Sequence, residues 1–229
     1  MRIDMHTHCL PVSRCAWHDP EQLPGFHMEG GVDAIVLTNH CYPYHCEILS
    51  ADLREQAEIY VDIFRRCKAK GDELGFKVFF GAEIKLIGEP NMPEFLLYGL
   101  SEQDFLASYP LYNHTQKELF DFCNEKDILM VQAHPFRYEQ GYAPADMRYV
   151  HGIEVYNPHP SFDSRIPDAI RLARENGKIM TSGSDFHVNG QAGAAGMIIP
   201  DHIEDQFMLR DFLKTGEPKI YSRSGLLDL

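Results

Sequence analysis

The sequence has no long apolar run. Its longest apolar stretches, such as 34–37, are strand-sized and far short of the roughly 20 residues of a membrane helix, which excludes a helical membrane span. Cations are scarce as well. Lys and Arg total 21 against 34 Asp and Glu, a formal net charge of −13. Phosphate-backbone contacts need clustered Lys and Arg, so a general nucleic-acid surface is not expected. A phosphate-bearing small molecule is not excluded, because bound metal ions supply positive charge that a residue count ignores. The six cysteines contain no CxxC pair and no regular spacing, which argues against a disulfide framework and for reduced thiols, with a ligand role open to one of them. No apolar segment of the secretory kind follows Met1 and Arg2, so a cytoplasmic enzyme is expected. Also missing are a Gly-rich phosphate loop of the ATPase kind and a nucleophile elbow.

What is present suits one domain spanning 1–229, with 44% apolar and 24% charged residues, a globular composition. Short β-branched or apolar runs at 2–8, 34–40, 77–86, 95–100, 128–134, 152–157 and 179–185, with a further one at 195–199, have no clean alternation, as in strands buried on both faces. Between them lie helical patterns. The clearest covers 52–71, with Leu53, Ala57, Tyr60, Phe64 and Cys67 at three-to-four spacing and a stop near Gly71. Others cover 115–126, where Thr115 and Glu118 have capping-box spacing, then 167–176 and 203–215. Strand and helix alternate throughout, which predicts a parallel α/β architecture, closed or nearly closed into a barrel.

The polar residues gather at strand ends. His6 and His8 lie two apart on the first strand, where both can grip one metal, with Asp4 on the same face as an orienting group. His40 ends the second strand. Glu83 sits inside an apolar strand, where an unpaired carboxylate is costly. His134 ends the fifth strand, and Asp185 with His187 ends the seventh. In an α/β barrel such ends converge on one face. Mixed imidazole and carboxylate ligands suit Zn²⁺, Mn²⁺ or Fe²⁺. They are too many for one tetrahedral ion, so two or three divalent ions are implied, with Glu83 and Asp185 as natural bridges.

The series Asp4-x-His6-x-His8, Thr38-Asn39-His40, Gly81-Ala82-Glu83, Ala133-His134-Pro135, Gly152-Ile153-Glu154-x-Tyr156-Asn157 and Ser182-Gly183-Ser184-Asp185-Phe186-His187 resembles the PHP family. That family takes its name from bacterial polymerase domains and histidinol phosphatase. The match spans residues 2 to about 190 with the motifs in the family's order. The resemblance implies a distorted (β/α)7 TIM-like barrel and a phosphoesterase with two or three metals. Matching positions assign His6, His8, Glu83 and Asp185 to one metal, His40 and His187 to a second, and Glu83 with His134 to a third. Many relatives carry a further ligand a few residues after the His-x-His; here the loop is longer, and His18 is the candidate. Many also carry a His on the strand after the Glu, a place for which His114 is the available substitute. The family's usual Asp is Asn39 here.

For a small phosphorylated substrate, Arg137 and Arg165 offer bidentate contacts, Lys85 a further cation, and His159 a general acid or substrate contact. The pocket would be built by loops 9–30, 41–50, 88–94, 138–148 and 158–166, with Tyr42, Tyr44 and Phe136 available for stacking. Attack on a C–N or lactone bond, as in amidohydrolase-type barrels, is the nearest alternative, and a non-catalytic metal-binding barrel is another. None of these motifs encodes an oligomeric state.

Overall fold

The computed structural model describes residues 1–137 and 143–227, so the part of the expected pocket loop at 138–142 lies outside the described residues. The chain opens with β1 (Arg2–Thr7), and β2 (Ala34–Leu37) pairs with it in parallel, Ile3 opposite Ala34. The strand expected over 34–40 divides in two. Asn39 turns its side chain to the Cys9 amide and the Ser13 hydroxyl, so pairing resumes only as the short β3 (His40–Cys41). β4 (Lys77–Lys85) pairs with β2 through Phe80 and with β3 at His40–Glu83, which sets a histidine beside a carboxylate on neighbouring strands.

The remaining strands are β5 (Glu94–Tyr98), β6 (Leu129–Gln132), β7 (Gly152–Tyr156), β8 (Ile179–Ser182), β9 (Ala195–Ile198), β10 (Lys219–Ser222) and β11 (Gly225–Leu226). Their order is β11-β10-β9-β1-β2-β4-β5-β6-β7-β8, with β3 beside β4. The expectation of a parallel sheet is corrected at two places. β5 runs antiparallel to both β4 and β6, and β9 runs antiparallel to β1 and β10. Only residues 86–93 join β4 to β5, fewer than the dozen or so that a parallel crossover needs, so the chain turns back on itself. The result is a mixed sheet curled into a half-barrel. An isolated bridge, Thr7 with Phe186, helps carry the segment after β8 back to β1.

This topology decides what meets at the site. The C-terminal ends of β1, β3, β4, β6, β7 and β8 share one edge, and the reversed β5 brings its first residue, Glu94, to that edge opposite Lys85.

Helices α1 (Leu23–Glu29), α2 (Pro43–Cys46), α3 (Leu53–Leu74), α4 (Glu102–Ser108), α5 (Gln116–Glu125), α6 (Ile166–Glu175) and α7 (Gln206–Thr215) complete the chain. The Asp52 side chain caps α3 by accepting from the Glu55 amide at 3.0 Å, and the helix ends at Gly75, whose φ of 71° is the left-handed C-cap conformation. Gly71, expected to stop the helix, lies within it; a Cβ there would come 2.7 Å from the Phe76 carbonyl oxygen, so its role is close packing. Thr115 and Glu118 form the expected capping box on α5. The expected start of α7 moves from 203 to Gln206, because Asp205 caps the Phe207 and Met208 amides.

The larger core cluster packs α3 against the sheet through Tyr60, Phe64 and Cys67, with Phe80 and Phe105. Each such ring contributes roughly 1.5–3 kcal/mol by burial. Tyr60 couples this core to the site, because its hydroxyl donates to the Asn39 carbonyl just before His40. Among the described residues, no helix is long and apolar enough to cross a membrane.

Candidate metal centre

The register of β1 with β2 slips between Asp4 and Thr7, next to His6. Asp4 is buried and accepts from the backbone amides of His6 at 3.2 Å and Ser184 at 2.9 Å, and from the Ser184 hydroxyl. Through Ser184 it ties β1 to the segment that carries Asp185. Gly183 permits that approach, since a Cβ there would overlap the His6 side chain. His134 and Asp185 both adopt positive φ, 25° and 54°. Non-glycine residues hold such conformations only where their surroundings impose them, and they concentrate at functional sites.

The side chains converge. His6 Nε2 lies 3.3 Å from Glu83 Oε1 and 3.5 Å from Asp185 Oδ1, while His8 Nε2 lies 3.2 Å from Asp185 Oδ1 and 3.7 Å from Glu83 Oε2. His134 Nε2 is 3.3 Å from Glu83 Oε1 and 3.5 Å from Glu94 Oε2. His40 presents Nδ1 to Glu83 Oε2 at 2.5 Å and Nε2 to His187 Nε2 at 3.4 Å. Most of these atoms are close without bonding well: His6 Nε2, His8 Nε2 and both Glu83 oxygens are buried and make no hydrogen bond of good geometry. Two donors each about 2.1 Å from one ion at a tetrahedral angle would stand about 3.4 Å apart, which is the spacing seen here. The residues therefore fit divalent cations, and among the described residues five groups could each hold one: His6, His8 and Asp185; His6, Glu83 and His134; His8, His40 and His187; His40, Glu83 and Glu94; and Cys15, His40 and His45.

The far sides of the rings are oriented. Glu154 Oε1 faces His6 Nδ1 at 3.0 Å, and its other oxygen accepts from the His134 amide at 3.1 Å and the Asn157 side chain at 2.9 Å. Such outer partners set the tautomer and aim the metal-facing nitrogen. Burial works against charge on Glu83 and Asp185. Nevertheless His6 and His40 hold the Glu83 carboxyl well below the usual carboxylate range, and His6 and Arg137 do the same for Asp185. Burial likewise opposes charge on His6 and His40, but the carboxylates outweigh it and raise both imidazoles, whereas His8 is lowered by burial with His40 and His187 adding to it.

Above the cluster opens a cavity of about 600 Å³ whose lining includes Arg14, Tyr42, Tyr44, Lys85, Arg137 and His159. Arg137 is buried and donates through Nη2 to Asp185 Oδ2 at 2.8 Å and Asn157 Oδ1 at 3.0 Å, leaving its buried Nε without a hydrogen bond. Lys85 pairs with Glu94 at 3.0 Å and lies 5.0 Å over the Tyr42 ring. His159 packs on Phe162 and accepts the Ser161 amide; burial lowers its pKa to about 4, so it is neutral at pH 7 and suits substrate contact better than proton donation.

Three expected residues lie elsewhere. Arg165 does not line the cavity, because at the start of α6 its guanidinium pairs with Asp168. The His18 ring packs on Phe26 and Phe186, and His114 Nδ1 bonds to the Leu111 carbonyl at 3.0 Å; neither belongs to a group that could hold a metal among the described residues. Conversely, the sequence singled out neither Glu94 nor His45, and Cys15 only as one of several cysteines to which a ligand role was open. Glu94 opens a strand whose reversal no local pattern announced, and Cys15 carried only its nearness to His8 as a signal.

No family model and no curated protein matches this sequence. Solved structures do. A two-domain protein from Bacteroides vulgatus containing a predicted PHP-like metal-dependent phosphoesterase superposes with a TM-score of 0.73 at 20% identity, covering 100% of this chain and 66% of that one. The fold is that of the PHP-like phosphoesterases. A lesion-specific endonuclease from Pyrococcus furiosus shares this PHP-like fold at TM-score 0.60 and 17% identity, over 96% of this chain and 57% of its own. An amidohydrolase from Chromobacterium violaceum does so at 0.56 and 12%, over 97% and 98%. This chain thus spans just under two thirds of the Bacteroides protein and little more than half of the endonuclease.

Proposed function

We propose that the protein is a cytoplasmic metal-dependent phosphoesterase acting on a small phosphomonoester or phosphodiester, its curled sheet being the distorted (β/α)7 barrel of that family. One observation carries the reading: His6, His8, His134, Glu83 and Asp185 are buried with donor atoms at ligand-to-ligand spacing, and His134 and Asp185 open onto a cavity that a buried arginine also lines. In this reading His6, His8, Glu83, Asp185, His40, His187 and His134 hold two or three divalent ions, Zn²⁺, Mn²⁺ or Fe²⁺. Glu94 joins His134. Such ions supply water activation and Lewis acidity toward a phosphoryl group.

The chain's own residues do the rest. Arg137 has an unsatisfied buried donor at Nε, and a phosphoryl oxygen would satisfy it with a charge-assisted bond. Its contact with Asp185 aligns the arginine and the carboxylate together. Lys85, held by Glu94 and Tyr42, adds positive charge at the rim. Glu154 keeps His6 and the His134 backbone in place. A volume of about 600 Å³ suits a small substrate.

The test is hydrolysis of mono- and bis-p-nitrophenyl phosphate after reconstitution with Mn²⁺ or Zn²⁺, beside amide and lactone substrates. Turnover of an amide or lactone with neither phosphate ester hydrolysed would favour the amidohydrolase reading, which the likeness to the Chromobacterium enzyme motivates. Abasic-site DNA belongs in the same panel because of the likeness to the endonuclease; the net charge of −13 speaks against it.

A further inference from the structure

One thiol stands at the mouth of this centre. Cys15 is the exposed member of six free cysteines, and its Sγ lies within 4.8 Å of a donor nitrogen of His40, in the cavity that His187 also lines. The loop that carries it is pinned on both sides: the Arg14 amide donates to His45 Nδ1 at 3.0 Å and the Trp17 amide to the His187 carbonyl at 2.9 Å. Donor atoms of Cys15, His40 and His45 lie within 4.8 Å of one another, as do those of His8, His40 and His187.

The histidines differ in what they have to offer. His45 has both nitrogens engaged, Nδ1 by Arg14 and Nε2 by the Tyr42 hydroxyl at 3.0 Å. His187 Nδ1 faces the Asp185 carbonyl at 2.8 Å, which fixes its proton there and leaves the lone pair on Nε2, opposite His40 Nε2. His18, the loop residue expected to act as a ligand, is turned against Phe26 and Phe186.

We propose that Cys15 is a thiolate ligand that completes a sulfur-and-two-imidazole position with His40 and His187, and that it makes this position select zinc over manganese. The inference rests on the metal-dependent reading above. Ligation releases the thiol proton to solvent and changes no oxidation state. A thiolate is a soft donor that favours Zn²⁺, whereas imidazole and carboxylate alone serve Mn²⁺ as well. The cysteine therefore separates this position from the harder, carboxylate-rich one around Glu83.

The test is cobalt reconstitution of the chelator-treated full chain, comparing wild type with C15S and C15A. Visible ligand-field bands report bound cobalt whatever its ligands, and a near-ultraviolet thiolate-to-cobalt band reports sulfur. The expected result is a sulfur band in wild type, lost in both variants while visible bands persist, with a zinc-over-manganese preference lowered on the order of tenfold or more. Visible bands in wild type without the sulfur band, or a sulfur band that survives in C15S, would overturn the thiolate and leave the metal centre standing. No cobalt bound by wild type would overturn both.

Discussion

His6 Nε2 and Glu83 Oε1 face each other at 3.3 Å inside the protein, fully buried, and neither atom makes a hydrogen bond of good geometry. Two buried polar atoms in that state cost about 1–3 kcal/mol each unless something else satisfies them. A shared cation would do so.

Glu83→Gln tests this relationship. The amide keeps the shape but loses the charge and one acceptor. Metal content measured by elemental analysis is expected to fall, with hydrolysis reduced by more than the roughly 10–100-fold typical of an outer contact. Unchanged metal content and rate would contradict the assignment.

Glu154 makes the graded case. It touches the far nitrogen of His6 and the His134 amide, so Glu154→Gln keeps most hydrogen bonds and is expected to weaken metal binding by about 10–100-fold while the fold persists. Competition with a chromogenic chelator measures the shift. A change below about twofold would remove Glu154 from the centre.

Arg137→Lys separates charge from geometry. Lysine retains the cation but cannot span Asp185, Asn157 and a phosphoryl oxygen together. kcat/KM on p-nitrophenyl phosphate is expected to drop on the order of a hundredfold, with metal content nearly intact. A variant with wild-type kinetics would exclude this arginine from substrate contact.

His151 lies outside the centre and predicts the acid limb of stability. Its Nδ1 accepts the Met130 amide at 3.0 Å and its Nε2 faces Asn124 at 3.2 Å, an arrangement that needs the neutral ring. Burial, with Lys178 and Lys214, lowers its pKa to about 4. Between the ordinary value near 6.5 and about 4 the unfolded chain binds a proton that the folded one does not, so stability falls as pH drops through that window. Urea midpoints of chelator-treated protein are expected to show a shallower decline over that range in His151→Gln than in wild type. Identical slopes would refute it.

Much of the centre was legible in the sequence because strand-end chemistry is local. His-x-His, Asn39-His40, the Glu83 strand, His134-Pro135 and Ser184-Asp185-Phe186-His187 each announce themselves, and the fold brings their side chains to one edge. What stayed hidden is non-local. Glu94 reaches the cluster only because the eight residues after β4 are too few for a crossover and β5 reverses. Whether Cys15 or His18 faces the metal groups depends on how a loop is pinned by Arg14 and Trp17, which spacing alone does not encode. Gly71 and Gly75 show the same limit on a helix: Gly71 read as the stop, but Gly75 takes the left-handed conformation, while Gly71 packs against the Phe76 backbone.

The most direct measurement is the number of divalent ions per chain in protein purified without chelator, followed by removal and return. The account predicts at least two ions per chain, loss of phosphate-ester hydrolysis on chelation, and recovery with Mn²⁺ or Zn²⁺. Fewer than one ion per chain, or hydrolysis undiminished after complete removal, would contradict it.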